Sequence, residues 1–259
     1  MKRVKLIVAY DGTNYCGWQI QINGITVEEV LNKTISELVG EPIAVIGASR
    51  TDSGVHAMGN VAASDVYKRQ AMGNVAVFDT ESRIPAEKMS FALNQRLPED
   101  IRIQESCEVP LDWHPRYCDT RKTYEYRILN RRFAIPTERL YSHFFYYPLD
   151  VEKMQQAADY LVGEHDFKSF CSTRTQVENT VRTIYFLRVI KEGDMIRIRI
   201  NGNGFLYNMV RIIVGTLLKV GTGMYPPEHV KEILEAKDRR LAGPKAEARG
   251  LTLMEIEYL

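Results

Sequence analysis

The order of predicted helices and strands is the feature that most constrains the fold of this 259-residue chain. Alternating apolar residues predict strands, and apolar residues three or four positions apart predict helices. The elements predicted in the first half are strands over 4–10, 43–46 and 101–109 and helices over 26–39 and 85–97. Thr26 and Glu29 form a capping-box pattern at the start of the first helix, and Gly40 ends it.

The second half repeats this rhythm. Its predicted elements are strands over 123–129, 181–190 and 195–200, with a hairpin turn at 191–194, and helices over 151–162, 205–220 and 227–236. Each half combines strands with helices, which predicts an α+β fold of two similar lobes. The rhythm changes near residues 108–115, so we predict an N-terminal lobe over 1–110 and a C-terminal lobe over 111–259.

Composition excludes several classes of protein. The net charge of +1 does not indicate a nucleic-acid binder, so such a role would need local clusters of basic residues. The four cysteines are far apart with no C-x-x-C spacing, which disfavours a disulfide framework or zinc site and favours a reducing cytoplasm. Residues 1–5 lead into a strand rather than a signal-peptide core, and no apolar run reaches membrane-spanning length.

Residues 47–57, Gly-Ala-Ser-Arg-Thr-Asp-Ser-Gly-Val-His-Ala, carry the strongest functional signal. A short predicted strand leads into a turn that presents one carboxylate, Asp52, and such turns commonly display reactive groups. Arg50 is close enough in sequence to hold that carboxylate ionised. Because no metal-ligand cluster surrounds it, Asp52 is predicted to be a nucleophile or a general base.

Two other interpretations of Asp52 are considered. Asp-Ser-Gly is typical of aspartic proteases, but those enzymes need two carboxylates that share a proton, and a neighbouring arginine opposes that. This chain has no second matching turn, although a homodimer would supply one. Alternatively, Asp52 only caps the turn by accepting backbone hydrogen bonds.

Basic and aromatic residues alternate between residues 116 and 133. Cations bind phosphates and rings stack on unpaired bases, so this composition suits nucleic acid. On a strand, Tyr124 and Tyr126 share one face. The alternative is an ordinary strand with tyrosines half in the core and charges in water.

Arg211 is the lone charge in the apolar stretch 209–218, which follows a turn rich in glycine and asparagine. A charge buried among apolar side chains costs free energy unless it is paired with an opposite charge. Arg211 is therefore predicted to reach a carboxylate or a phosphate in a cleft. The alternative is that its long side chain extends to the surface.

A direct repeat follows the Asp52 turn. Ala-Met-Gly-Asn-Val-Ala occurs at residues 57–62 and again, unchanged, at 71–76. A single repeat does not indicate a solenoid. It is interpreted either as a local duplication or sequence-assembly junction, or as a genuine inserted loop.

Together these residues resemble the tRNA pseudouridine synthase A family. The matching segments span nearly the whole chain, and the most specific is Arg-Thr-Asp-Ser-Gly-Val-His at residues 50–56. The others are residues 10–15, 17–19, 114–117, 122–126, 163–167, 209–211, Gly215, 236–239 and 250–251. The repeat departs from the family pattern, which is restored when residues 57–70 or 63–76 are removed.

The resemblance implies an enzyme that isomerises uridine to pseudouridine at positions 38–40 of the tRNA anticodon stem-loop. It implies a homodimer and the pseudouridine synthase fold, in which two ferredoxin-like lobes share a mixed, mainly antiparallel sheet with a central cleft. Asp52 matches the catalytic aspartate, Arg50 lies in the same motif, Tyr124 matches the tyrosine that contacts the target base, and Arg211 matches an arginine near the carboxylate. We expect Arg211 to pair with Asp52.

No cofactor or metal is expected, because the isomerisation neither oxidises the base nor gains or loses an atom. Because the second copy leads directly into Val77-Phe78-Asp79-Thr80, we hypothesise that the copy at 71–76 forms the native strand and the other is extruded as a loop. Two further functions remain open. One is an RNA-binding protein whose catalysis the insertion has impaired, and the other is an aspartic hydrolase.

Overall fold

The computed structural model describes residues 1–58, 70–71, 73–173 and 177–259, with residues 70 and 71 described by their backbone alone. The chain forms two compact units. The first comprises residues 1–120 and 252–259, and the second comprises residues 121–251. The lobes predicted from the sequence met at 110/111, so the unit boundary lies later in the chain, and the last eight residues return to the first unit.

The first unit is built on a central strand, β1 (Lys2–Tyr10). Its other elements are α1 (Val27–Val39), β2 (Ile46–Gly47), β3 (His56–Ala57), β4 (Gln70–Ala71), β5 (Asn74–Thr80), α2 (Met89–Asn94) and β6 (Ile101–Val109). Strands β5 and β6 pair antiparallel with opposite edges of β1, and β2 pairs antiparallel with β5.

The final strand of the chain, β12 (Leu251–Tyr258), adds the only parallel pairing described within this unit. It runs parallel to β3 and antiparallel to β4, and β3 also pairs antiparallel with β1 at Tyr10. The sheet of the first unit is therefore mixed and mainly antiparallel.

Local sequence explains these elements. Val4, Leu6 and Val8 alternate along β1 and are fully buried, as the period-2 pattern predicts. At the start of α1 the hydroxyl of Thr26 accepts a hydrogen bond from the Glu29 N–H at 3.3 Å, which satisfies a donor that the helix leaves unpaired. The predicted start of α1 is confirmed.

The strand predicted over 43–46 is largely wrong, because β2 covers only Ile46–Gly47. Two polar side chains of α1 accept hydrogen bonds from the backbone just before β2, where the carbonyl groups of a neighbouring strand would otherwise accept them. The Ile43 N–H donates to Ser36 Oγ at 2.9 Å, and the Val45 N–H donates to Asn32 Oδ1 at 2.8 Å. Since these N–H groups already have partners, the segment needs no sheet ladder.

The second unit is also a mixed, mainly antiparallel sheet with helices. Its elements are β7 (Thr120–Asn130, which begins at the last residue of the first unit), β8 (His143–Phe145), α3 (Val151–Asp159), β9 (Gly163–Asp166), β10 (Val181–Glu192), β11 (Met195–Gly202), α4 (Met209–Gly221) and α5 (His229–Ala236). The order β7-β11-β10-β9 is antiparallel throughout, and β8 lies parallel to β7.

Helix α4 is buried on nearly every side, which explains its uniformly apolar sequence. It begins at Met209 rather than at residue 205, so the predicted start is wrong. The cause is Asn208, whose backbone is left-handed with φ 61° and ψ 11°. A residue in that conformation cannot extend a right-handed helix, and asparagine tolerates it better than most residues.

The two copies of the repeat lie in different places. Ala57, at the start of the first copy, belongs to β3, whereas residues 74–76 of the second copy open β5. The prediction that the second copy forms the strand is confirmed, and the reason is the sequence that follows, because Val77 and Phe78 are buried in the core. The predicted extrusion of the first copy concerns residues 59–62, which lie outside the described residues.

The predicted α+β class with a mixed, mainly antiparallel sheet is confirmed by these elements and pairings. Among the described residues, no helix is long and apolar enough to cross a bilayer. Helices α1 and α4, at 13 residues each, are shorter than the ~20 residues that a membrane-spanning helix needs.

Candidate active site

The Asp52 turn directly follows β2 in the first unit. Asp52 is half-buried and Arg50 is exposed. The Val55 N–H donates to the Asp52 carbonyl at 3.1 Å and closes the turn, and Gly54 adopts a φ of 74° that favours glycine. The carboxylate therefore sits on a tight turn whose backbone shape is fixed by internal bonding and by a glycine.

Three hydrogen bonds support this turn, two from the loop after β1 and one from Tyr10, the last residue of β1. The Trp18 N–H donates to the Thr51 carbonyl at 3.1 Å, and the Gly54 N–H donates to the Tyr15 carbonyl at 3.2 Å. The hydroxyls of Tyr10 and Thr51 are 2.7 Å apart in a buried contact. Because these bonds flank Asp52 on both sides in sequence, its position is set by the core of the unit.

Two glycines allow the loop and the turn to approach so closely. A Cβ atom on Gly12 would lie 2.1 Å from the Val55 carbonyl oxygen, and one on Gly17 would lie 2.6 Å from the Thr51 carbonyl oxygen. Neither contact is compatible with a side chain. The glycines at 12 and 17, which form part of the resemblance, are thus explained by backbone-to-backbone contact.

Asn74 is a supporting residue that the sequence did not single out. It is fully buried at the start of β5, and its carboxamide forms two hydrogen bonds with the backbone of Ser49. Its Nδ2 also lies 3.4 Å from the Tyr10 hydroxyl. The available signal was an asparagine at the head of an apolar strand, a position where a polar side chain must find buried partners.

Arg50 forms no hydrogen bond or ion pair with any residue in the described part of the chain. Its predicted role of holding Asp52 ionised therefore stays a prediction. The exposed guanidinium lies two residues from the carboxylate and is available to an anionic ligand.

In the second unit, Tyr124 lies on β7 opposite Ile200 of β11. The predicted face is confirmed, because Tyr124 and Tyr126 are both buried on the same side of the strand. The ring of Tyr124 meets Phe205 edge-on, with centroids 5.3 Å apart and an interplanar angle of 86°. On the opposite face, Glu125 is buried as well and pairs with Arg199 at 2.6 Å, rather than lying in water.

Arg211 is buried near the start of α4, with 8% of its surface exposed. Its side chain therefore does not extend to the surface, and that alternative is wrong. Its Nε donates to the Ala246 carbonyl at 2.8 Å, and Nη1 donates to Asn208 Oδ1 at 3.1 Å. These bonds fix the plane of the guanidinium, and its predicted pairing with Asp52 stays a prediction.

The segment between β11 and α4 links the two predicted residues of this unit. Phe205 contacts the ring of Tyr124, and Asn208 binds the guanidinium of Arg211. Asn208 also donates to Ser172 Oγ at 2.8 Å, so its left-handed backbone is supported from two sides. Tyr124 and Arg211 are thus brought to one short segment of the second unit, while Arg50 and Asp52 share the turn of the first.

A model of the family described as tRNA pseudouridine synthase matches residues 6–118 and 157–259 of this chain. The chain belongs to this family. The matched ranges include Arg50, Asp52 and Arg211, whereas Tyr124 lies in the segment between them.

Full-length relatives agree with the family. Proteins named tRNA pseudouridine synthase A are 48% identical in Thermoanaerobacter sp. (strain X514), 46% in Brevibacillus brevis and 43% in Caldicellulosiruptor saccharolyticus. Each similarity extends over 258 residues and covers 100% of both chains. The resemblance inferred from the sequence, to the tRNA pseudouridine synthase A family, is confirmed.

Proposed function

We propose that this chain isomerises uridine to pseudouridine in tRNA, at positions 38–40 of the anticodon stem-loop, with Asp52 as the catalytic residue. Family membership and relatives named tRNA pseudouridine synthase A support the reaction and its substrate. The observation that carries the catalytic assignment is the rigid presentation of the Asp52 turn by the Tyr10–Trp18 loop and by Asn74.

The chemistry needs a single positioned carboxylate. The reaction breaks the N1–C1′ bond, turns the uracil and forms a C5–C1′ bond, with no net change in atoms or oxidation state. Asp52 would act as nucleophile at C1′ or at uracil C6, or as base at C2′. Each role requires the carboxylate to be ionised and held in one place, and no cofactor takes part.

Arg211 and Tyr124 complete the proposed site. A guanidinium fixed by Ala246 and Asn208 is oriented before substrate arrives, so it would pair with Asp52 at little entropic cost. The target base must leave its stack to reach a carboxylate, and an aromatic ring such as Tyr124 would replace the lost contacts. The fold proposed for each of the two lobes is ferredoxin-like.

Two further properties belong to this proposal. The enzyme acts as a homodimer, as the resemblance implies, and binds tRNA through both subunits. It acts in the cytoplasm, since all four cysteines are free in the structure and suit a reducing compartment.

A second candidate is a tRNA-binding protein with impaired catalysis. The observation that favours it is the place of the extra residues, which enter the chain between β3 and β5 and begin just after the Asp52 turn. An aspartic hydrolase is not proposed further, because the chain belongs to a family of synthases.

Unmodified tRNA transcripts incubated with the protein test this proposal. Pseudouridine is mapped chemically along the transcript, and tRNA binding is measured in parallel. Product at positions 38–40 supports the enzyme. Binding without product supports the impaired alternative, and neither binding nor product contradicts both.

A further inference from the structure

The turn that follows β6 presents a basic and aromatic surface on the first unit. It contains His114-Pro115-Arg116-Tyr117, whose last two residues begin the basic and aromatic run at 116–133 that suits nucleic acid. The inference drawn from it rests on the proposed function, because it assigns part of the tRNA-binding surface.

This turn is held firmly against the first unit. The Tyr117 N–H donates to the His114 carbonyl at 3.3 Å, and the Arg116 N–H donates to His114 Nδ1 at 3.2 Å. The Tyr258 hydroxyl donates to the Pro115 carbonyl at 3.3 Å, and the rings of Trp113 and Tyr258 pack 5.1 Å apart. The side chains that the turn displays therefore project from a fixed backbone.

Tyr117 is stacked flat on His114. The ring centroids are 3.9 Å apart and the planes differ by 14°. Tyr117 is nevertheless 86% exposed, more than any other aromatic residue among those described. An exposed ring with one face already covered by a parallel ring offers its other face for stacking.

Arg116 lies beside this ring and reaches the Asp52 turn. Its Nε donates to the Gly47 carbonyl at 2.7 Å, which brings the guanidinium to the segment that carries Arg50. Neither Arg50 nor Arg116 forms an ion pair with a carboxylate of the described residues. Two cations close enough to affect each other, neither of them in an ion pair with a described carboxylate, favour an anionic ligand.

The electrostatics of Arg116 agree with this arrangement. Desolvation lowers the pKa of its guanidinium, and the charge of Arg50 lowers that pKa further. Glu28 raises the pKa of Arg116 to a smaller extent, while its own Oε2 accepts a hydrogen bond from the Ile20 N–H at 2.9 Å. The pKa of His114 is also lowered, by desolvation and then by Arg116 and Arg3, which favours the neutral ring in the stack.

We propose that Arg50, Arg116 and Tyr117 form a nucleotide subsite for the tRNA, separate from the target uridine. A phosphodiester binds at the two arginines, and one unpaired base stacks on the open face of Tyr117. The ligand is a nucleotide rather than a protein segment, because one flat ring beside two unpaired cations matches a base and its phosphate.

Stacking is tested with an inactive background, Asp52→Asn, so that bound tRNA does not turn over. Tyr117→Leu is expected to weaken binding of unmodified tRNA by about fivefold to a hundredfold, the range for losing one base–aromatic stack. Tyr117→Phe keeps the ring and is expected to bind within about twofold of the background. Phe91→Leu is the control, because Phe91 is an exposed ring of the same unit that lies near Lys88 and outside this surface.

The phosphate contact is tested by the salt dependence of the same binding constant. Arg116→Gln removes one cation and is expected to reduce the slope of log K against log salt by roughly 0.7–0.9. Arg96→Gln, in an exposed position of the same unit, changes the net charge equally and is expected to leave the slope unaltered.

These outcomes separate the subsite from the proposed function. If unaltered protein forms pseudouridine while Tyr117→Leu and Arg116→Gln bind tRNA like their controls, the subsite is overturned and the enzyme stands. Equal weakening by Tyr117→Leu and Tyr117→Phe overturns the stacking role. If unaltered protein neither binds nor modifies tRNA, both the subsite and the function are overturned.

Discussion

The carboxamide of Asn74 forms two hydrogen bonds with the backbone of Ser49, three residues before Asp52. Nδ2 donates to the Ser49 carbonyl at 2.9 Å, and Oδ1 accepts from the Ser49 N–H at 3.1 Å. Both residues are buried, so water cannot replace these bonds if they are lost. The backbone leading to the proposed catalytic turn is thus tied to β5 by a side chain.

Replacing Asn74 by leucine should therefore lower the rate of pseudouridine formation. We expect a loss on the order of tenfold to a hundredfold under single-turnover conditions, because small displacements of a reacting group are costly. The KM for tRNA should change little, since Asn74 is buried.

Asn94→Leu is the matched control for this variant. Asn94 makes the same pair of bonds with Ile103, each at 2.8 Å, but on the α2–β6 side of the unit. Both variants should be destabilised by about 1–3 kcal/mol in denaturant, and only Asn74→Leu should slow catalysis. Equal rates in the two variants would reduce Asn74 to a purely structural residue.

Tyr124 should tolerate phenylalanine better than leucine. Its ring packs edge-on against Phe205, and if stacking on the target base dominates, Tyr124→Phe keeps that surface while Tyr124→Leu loses it. We expect Tyr124→Leu to lower the single-turnover rate by about fivefold or more, and Tyr124→Phe to have a smaller effect. Equal loss in both variants would assign the role to the hydroxyl.

Stability should fall between neutral and mildly acidic pH partly through His143. Burial lowers the pKa of His143, and Arg249 lowers it further while Glu247 opposes them. Between that lowered value and the ordinary value near 6.5, the unfolded chain binds a proton that the folded chain does not. Stability is therefore full above pH 6.5 and declines as pH falls through this window.

Denaturant titrations of the wild type and His143→Gln at several pH values check this expectation. The variant lacks the titrating ring, so the decline should be shallower than in the wild type. His229→Gln, which alters a histidine of α5, is the control. A slope unaffected by His143→Gln would show that other groups carry the pH dependence.

Removing 14 residues, either 57–70 or 63–76, gives the same sequence and leaves one copy of the repeat. The single copy supplies the asparagine that binds Ser49 and the valine and alanine that begin β5. We expect the shortened chain to fold and to form pseudouridine faster than the full chain. Equal single-turnover rates would show that the extra segment is harmless, because a long loop costs little in closure entropy.

The parts of this structure that follow local rules could be predicted from sequence. Helix α1 begins after its capping threonine, and β6 covers the residues that its alternation indicated. The predicted bounds were wrong where side chains took the place of backbone hydrogen-bond partners, or where one residue left the helical conformation. Ser36 and Asn32 bind the backbone that would otherwise have formed a strand before Gly47, and left-handed Asn208 delays the start of α4.

The residues of the candidate site also divide into those that the local sequence predicts and those that it does not. Asp52 stands out because its motif is local and specific, and Arg211 because a lone charge in an apolar helix needs a buried partner. Asn74 at the head of an apolar strand signals only that it needs buried partners, because the partner itself, Ser49, lies 25 residues away in the chain. The folded structure is needed to show which backbone groups a buried carboxamide binds.

The most direct test compares wild type, Asp52→Asn and the charge-matched control Asp112→Asn on unmodified tRNA. We expect the wild type and Asp112→Asn to form pseudouridine in the anticodon arm. We expect Asp52→Asn to bind the tRNA with similar affinity and to form none. Product from Asp52→Asn at the wild-type rate, or complete loss of tRNA binding by that variant, would contradict the assignment of Asp52 as the catalytic residue.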